Sequence, residues 1–234
     1  MSTVVYGDFT CPFSYLASRR IDLLDDRDGE VEWRAVEHAP HTPLNGLRLD
    51  PEAAKDAERE WRMVQELLLP DEELPGRPPT VLSSTQAAVA AYAEAVGAGV
   101  GPAVRRLLFR AYWVDGLDIG NPEILRPLLA ATVRAGTSTS APLHEFGYAV
   151  TPARGPITSD AYRRIREWHK QWVSLGDPTI PTMQEDGRTI SGVPALIRLG
   201  ERITGLDSVT APSDECTGWT MDRLLPASSE GFWY

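Results

Sequence analysis

Cys11-Pro12-Phe13-Ser14 is the stretch whose residue types and spacing point most directly to chemistry. A cysteine in the first turn of a helix meets unpaired backbone N–H groups and the positive end of the helix dipole, and both favour the thiolate. A free cysteine titrates near pH ~8.5, and such a setting lowers that value enough to make a nucleophile at neutral pH. Ser14, three residues on, can direct its hydroxyl at the same sulfur. The competing reading is a small buried hydrophobe, the common fate of a lone cysteine. His38 and His41 are candidates to adjust the thiolate or take a proton, against a reading as solvated loop residues. With four scattered His, no HExxH and no CxxC pair, the chain shows no metal constellation. Gly97-Ala98-Gly99-Val100-Gly101 has the glycine content of a nucleotide loop but follows an Ala-rich helix where a strand is needed, and reads as a linker.

The elements around Cys11 can be read from periodicity. Thr3, Val4, Val5, Tyr6 and Phe9 suggest a short buried strand over residues 2–9. Pro12 suits a first helical turn, and Tyr15, Leu16, Ile21, Leu23 and Leu24 predict an apolar helix ending near Asp25 to Gly29, which puts Cys11 at its N-terminus. Glu30 to Glu37 reads as a second strand, reached through the helix as a βαβ unit. From His38 to about Gly155 the pattern changes to Pro-punctuated helices, at 50–69, 84–96, 102–114 and 122–135, with no period-2 segment. Asp160 to Leu175 repeats Ala161, Ile165, Trp168, Trp172 and Leu175 at helical spacing. Val193 to Ile197 and Glu201 to Thr204 predict a hairpin-like pair of strands, and a last helix is expected over 213–225.

Composition bounds the function. The 23 Lys plus Arg against 33 Asp plus Glu leave a formal charge of −10, which argues against nucleic acid or an anionic membrane as partner. The 42% apolar and 24% charged residues are ordinary for a folded domain. Cys11 and Cys216 are too few for a secreted disulfide scaffold, the N-terminus lacks an export pattern, and the longest apolar run, Ala87 to Ala93, is far short of the ~20 residues that span a bilayer. A cytoplasmic protein is expected. The aromatic Gly231-Phe232-Trp233-Tyr234 is a candidate contact for the body of the protein or for a second subunit of a homodimer.

Asp8-Phe9-Thr10 followed by Cys11-Pro12-Phe13-Ser14-Tyr15 resembles the active-site opening of the DsbA-like branch of the thioredoxin superfamily, whose members read DxxCPxCY or, with serine first, SPxS. Gly192-Val193-Pro194 resembles that superfamily's Gly-Val-Pro, which implies a cis Val193–Pro194 bond facing Cys11. Ala111 to Ile119 resembles the branch's run of aromatics, acid-Gly and Asp-Ile; as plain sequence it is a helix end, a Gly turn and an Asn121 cap. The resemblance covers 2–37 and about 190–225. It implies an α/β thioredoxin-like fold (βαβ…ββα), discontinuous over 1–40 and 185–234, with an all-helical insertion over 41–184. The implied catalytic residues are Cys11, Ser14 and Pro194, with Pro12, Phe13 and Val193 against the substrate.

A dithiol oxidase needs a resolving cysteine, and Ser14 stands at that position, with Cys216 the one other thiol of the chain. The leading expectation is therefore thiol–disulfide exchange through Cys11, with a low-molecular-weight thiol such as glutathione or mycothiol as resolving cosubstrate and no tightly bound cofactor. The resemblance extends to kappa-class glutathione transferases and 2-hydroxychromene-2-carboxylate isomerases, which carry Gly-x-Asp-Arg where this chain has Gly205-Leu206-Asp207-Ser208. That implies Leu206, Asp207 and Ser208 at a thiol-binding site, although Asp207 could equally cap the last helix. A thiol-dependent transferase or isomerase acting on a small molecule, and a non-catalytic binding protein of the same fold, are the alternatives.

Overall fold

The computed structural model describes residues 3–25, 31–176 and 178–205 of the 234-residue chain. In order these form β1 (Thr3–Gly7), α1 (Pro12–Asp25), β2 (Val31–Ala35), β3 (Leu47–Arg48), α2 (Pro51–Glu66), β4 (Val81–Leu82), α3 (Gln86–Gly97), α4 (Gly101–Trp113), α5 (Pro122–Arg134), a π-helical turn (Pro142–Phe146), α6 (Ser159–Val173), β5 (Thr182–Glu185), β6 (Arg188–Ser191) and α7 (Val193–Thr204). The expected β1-α1-β2 unit is present, with β1 and β2 parallel and Thr3 opposite Val31. All five residues of β1 are buried, as an apolar central strand should be. β5 and β6 complete a sheet of order β2-β1-β5-β6, both pairing antiparallel to their neighbours.

The C-terminal half of the sheet departs from expectation. The hairpin is not at 193–204 but at Thr182–Ser191, turning at Asp186-Gly187, where both residues have positive φ (51° and 77°), the geometry of a two-residue hairpin turn. β5 therefore begins inside the segment assigned above to the helical insertion. Val193 to Thr204, expected as strands, is one helix. Ala195, Leu196, Leu199 and Gly200 are its buried positions and recur at helical spacing, Pro194 occupies the first turn, where a missing N–H is harmless, and Gly192 (φ 66°) redirects the chain from β6. The cis bond is correspondingly not Val193–Pro194 but Ile180–Pro181.

The helical block forms where periodicity places it. Asp50 accepts from the backbone N–H groups of Glu52 and Ala53 to cap α2, and Asn121 accepts from that of Glu123 to cap α5. Ala87 to Ala95 of α3 are all buried, and the alanines among them let α4, α5 and α6 pack around this helix. Buried Glu94 ties α3 to α6, accepting from the N–H of Ile157 (2.6 Å), the N–H of Thr158 (2.5 Å) and the hydroxyl of Thr158 (2.8 Å). α1 packs along α7 and also touches α2 and α4, so helices from both parts pack against it. The Gly97–Gly101 stretch is the short connection between α3 and α4. The two-residue ladder of β3 and β4 was not expected. The helix expected over 213–225 and the 231–234 tail lie outside the described residues.

Candidate active site

Cys11 ends the turn between β1 and α1. Its N–H donates to the Asp8 carbonyl (3.3 Å), and its own carbonyl accepts from the N–H of Tyr15 (3.0 Å), the first bond of α1, so Cys11 holds the cap position. The N–H and hydroxyl of Ser14 act on its sulfur to favour the thiolate. Ser14 is itself fixed, because its buried Oγ accepts from the N–H of Asp8 (3.3 Å). Gly7 makes room for this. A Cβ there would stand 2.3 Å from the Trp33 ring and 2.9 Å from Ser14 Oγ.

Long-range packing then covers the thiol. Cys11 is only 4% exposed, clustered with Val4, Tyr6, Val36 and Ile180, with Phe13, Trp172 and Leu175 against the cluster. Its Sγ lies 4.0 Å from the Ile180 carbonyl oxygen, beside Pro181. The thiolate expected from the helix N-terminus is therefore not the resting form. Burial pushes the Cys11 thiol up to about 12, outweighing the two Ser14 hydrogen bonds that pull the other way, while the charges of Glu60 and Asp8 push it further up. Burial also raises Glu60 and Glu37, each to about 7.

Asp8 was not recognised as a site residue from sequence. Its buried carboxylate accepts from the N–H (3.2 Å) and hydroxyl (3.4 Å) of Thr10, the N–H of His38 (2.7 Å) and the hydroxyl of Thr85 (3.2 Å), joining the active-site turn to the end of β2 and the start of α3. The Ala111 to Ile119 motif also acquires a role. Trp113 Nε1 donates to the Phe9 carbonyl (2.9 Å), and its ring stacks on Trp61 (centroids 5.0 Å apart) and Tyr15 (5.6 Å), which clamps the turn from the helical side.

Pro12 follows Cys11 as the first residue of α1, and Phe13 is half-buried against the thiol cluster. Val193 and Pro194 sit in the first turn of α7, and the position beside Cys11 expected of Pro194 belongs to Ile180 and Pro181. His41 is exposed. His38 is half-buried with its ring 6.1 Å from that of Trp172. Leu206, Asp207, Ser208 and Cys216 lie outside the described residues. Among the described residues no group of His, Cys, Asp and Glu could hold a metal ion, and no helix is long and apolar enough to cross a membrane.

Residues 3–141 match the family model of the DSBA-like thioredoxin domain. The chain belongs to that family. No curated protein matches it. Solved DSBA-like structures share the fold across nearly the whole chain. The cytosolic disulfide reductase DsbM from Pseudomonas aeruginosa superposes with a TM-score of 0.60 at 17% identity, covering 88% of this chain and 97% of that one. The same protein with GSH gives 0.57 at 17% identity, with the same coverage. A probable DsbA oxidoreductase from Streptomyces coelicolor gives 0.59 at 16% identity, covering 92% of this chain and 94% of that one. Cys11, Ser14, Thr85 and Trp113 of the site fall within the matched residues 3–141, while Trp172 and Ile180 come from the chain that follows them.

Proposed function

We propose that this DSBA-like protein carries out thiol–disulfide exchange through Cys11, with an external low-molecular-weight thiol resolving the intermediate. The observation that carries this reading is the place of Cys11 at the cap position of α1, its carbonyl accepting from the N–H of Tyr15 (3.0 Å), with Ser14 fixed one turn on by the N–H of Asp8 (3.3 Å). The Cys11 thiolate attacks one sulfur of a substrate disulfide, that S–S bond breaks, and the departing sulfur leaves as a thiolate that takes up a proton. A small thiol then attacks the mixed disulfide, releasing Cys11 as a thiol and leaving with the other half of the substrate, and a second small thiol reduces that product. Two electrons pass from two small thiols to one disulfide.

Burial keeps Cys11 protonated at rest, and the half-buried Phe13 and Trp172 pack against the cluster that covers it, so the substrate must part them to reach the thiol. Glutathione is the favoured resolving thiol and the cytoplasm the favoured compartment, in keeping with the fold shared with a cytosolic disulfide reductase that has also been solved with GSH. Reduction of a small mixed disulfide with glutathione as reductant tests the reading, and it requires that Cys11→Ala abolish turnover. Undiminished turnover in that variant would contradict it.

One observation favours a second reading. A buried, neutral Cys11 is a better hydrogen-bond donor than nucleophile, which suits a transferase or isomerase in which a bound small thiol does the chemistry. Saturable thiol binding without any covalent adduct at Cys11 would select it.

A further inference from the structure

A groove of about 1400 Å³ runs between the end of β2, α3 and α6. Its floor is apolar, formed by Val36, Val89, Ala90, Ile165 and Trp168. Its rim carries Arg34, Arg154, Arg163, Arg164, Arg166 and Lys170 against the acids Glu37, Asp160 and Glu167. Cations therefore outnumber acids two to one here, in a chain whose net charge is −10. An anionic ligand meets repulsion over the body of the protein and attraction at this groove.

Two of the cationic heads are oriented by neutral acceptors: Arg154 donates to the Gly120 carbonyl (3.0 Å) and Asn45 (3.2 Å), and Arg164 to the Ala93 carbonyl (2.7 Å). A guanidinium has five N–H donors, so such contacts fix its position and leave further donors for a carboxylate. Arg34 is already paired with Glu32 (2.8 Å) and donates also to the Tyr6 hydroxyl (3.0 Å) and Gln171, so it lines the groove as a paired cation and is not a free anion site. The lining runs along α6 from Asp160 to Gln171, roughly 17 Å at 1.5 Å per residue, which spans about five residues of extended peptide. The volume also exceeds the roughly 300–1,000 Å³ of small-molecule pockets. At one end the groove meets the thiol site, since Val36 both lines it and belongs to the apolar cluster around Cys11, and Gln171 precedes Trp172, which packs against that cluster.

We propose that this groove binds an extended acidic peptide segment of the disulfide substrate and leads its cysteine to Cys11, an assignment that rests on the exchange reading above. Cys11→Ala protein separates binding from covalent exchange. The probe is a fluorescent, end-blocked hexapeptide of alternating glutamate and serine, followed by anisotropy, with a lysine–serine hexapeptide and glutathione disulfide as comparisons. The glutamate peptide should bind saturably, should weaken on the order of tenfold between low and physiological salt, and should outbind both comparisons. Arg163 and Lys170 are exposed on α6, and the Arg163–Asp160 pair is itself exposed and contributes little, so Arg163→Glu with Lys170→Glu should leave the thermal unfolding midpoint near that of the parent and weaken the peptide by tenfold or more. Absent binding, salt-independent binding, equal binding of the lysine peptide, or displacement by glutathione disulfide at equal concentration would each overturn the groove assignment. Exchange at Cys11 in the intact protein without peptide binding would overturn the groove alone, whereas peptide binding without exchange would uphold the groove and overturn the Cys11 reading.

Discussion

Cys11 Sγ lies 4.0 Å from the carbonyl oxygen of Ile180, 169 positions along the chain. The contact follows from strand pairing. Tyr6 of β1 is opposite Thr182 of β5, so the residues just before β5 lie beyond the end of β1, where the turn into α1 carries Cys11. One face of the thiol thus meets a helix N-terminus and two Ser14 donors, and the other meets an apolar cover. The opposed effects of those two faces set the chemistry of the site.

Ser14→Ala removes one of the two donors that lower the Cys11 pKa. Because burial already holds the thiol up at about 12, losing the hydroxyl raises it further and reduces the thiolate fraction at any pH below that value. Iodoacetamide alkylation of Cys11 at pH ~8 should slow by roughly tenfold, the scale of a hydrogen bond to a charged group. The pH profile of the alkylation rate, read by mass spectrometry, checks this.

Glu60 should make stability fall with pH. Burial and the neighbouring Asp56 raise its carboxyl to about 7, with Arg59 partly offsetting them. Below its ordinary pKa, about 4.5, the group is protonated in both folded and unfolded chains. As pH rises to 7 the unfolded chain ionises first, so the stability held at low pH is lost through that window. Glu60→Gln should match the wild type in urea unfolding near pH ~4 and exceed it near pH ~8 by on the order of 1–3 kcal/mol.

Trp113→Phe keeps most of the stacking on Trp61 and Tyr15 but leaves the Phe9 carbonyl without its donor. An unsatisfied buried acceptor costs about 1–3 kcal/mol. Urea unfolding should register that loss. Alkylation of Cys11 should become faster as the turn that buries it loosens.

What could be read in advance was what is local. The β1-α1-β2 unit, Cys11 at the start of α1, the Asn121 cap and α6 all follow from spacing and capping chemistry within a few residues. The hairpin was not expected although Asp186-Gly187 is a strong two-residue turn signal, because the flanking Thr182–Glu185 and Arg188–Ser191 carry one apolar residue each and show no apolar alternation. Over Val193 to Thr204, Leu196 and Leu199 at helical spacing with Pro194 in the first turn already favour a helix. The burial of Cys11 had no local signal. It comes from Val36, Trp172 and Ile180, which only the completed sheet and α6 bring to it. The same holds for Asp8, whose partners His38 and Thr85 are distant in sequence.

The most direct test of exchange at Cys11 is intact-mass and peptide-mass analysis after incubation with glutathione disulfide, on the wild type and on Cys11→Ser. A single glutathione adduct is expected on Cys11, removed by excess reduced glutathione and absent from the corresponding peptide of the variant. An unmodified Cys11, or an adduct confined to Cys216, would contradict exchange at Cys11.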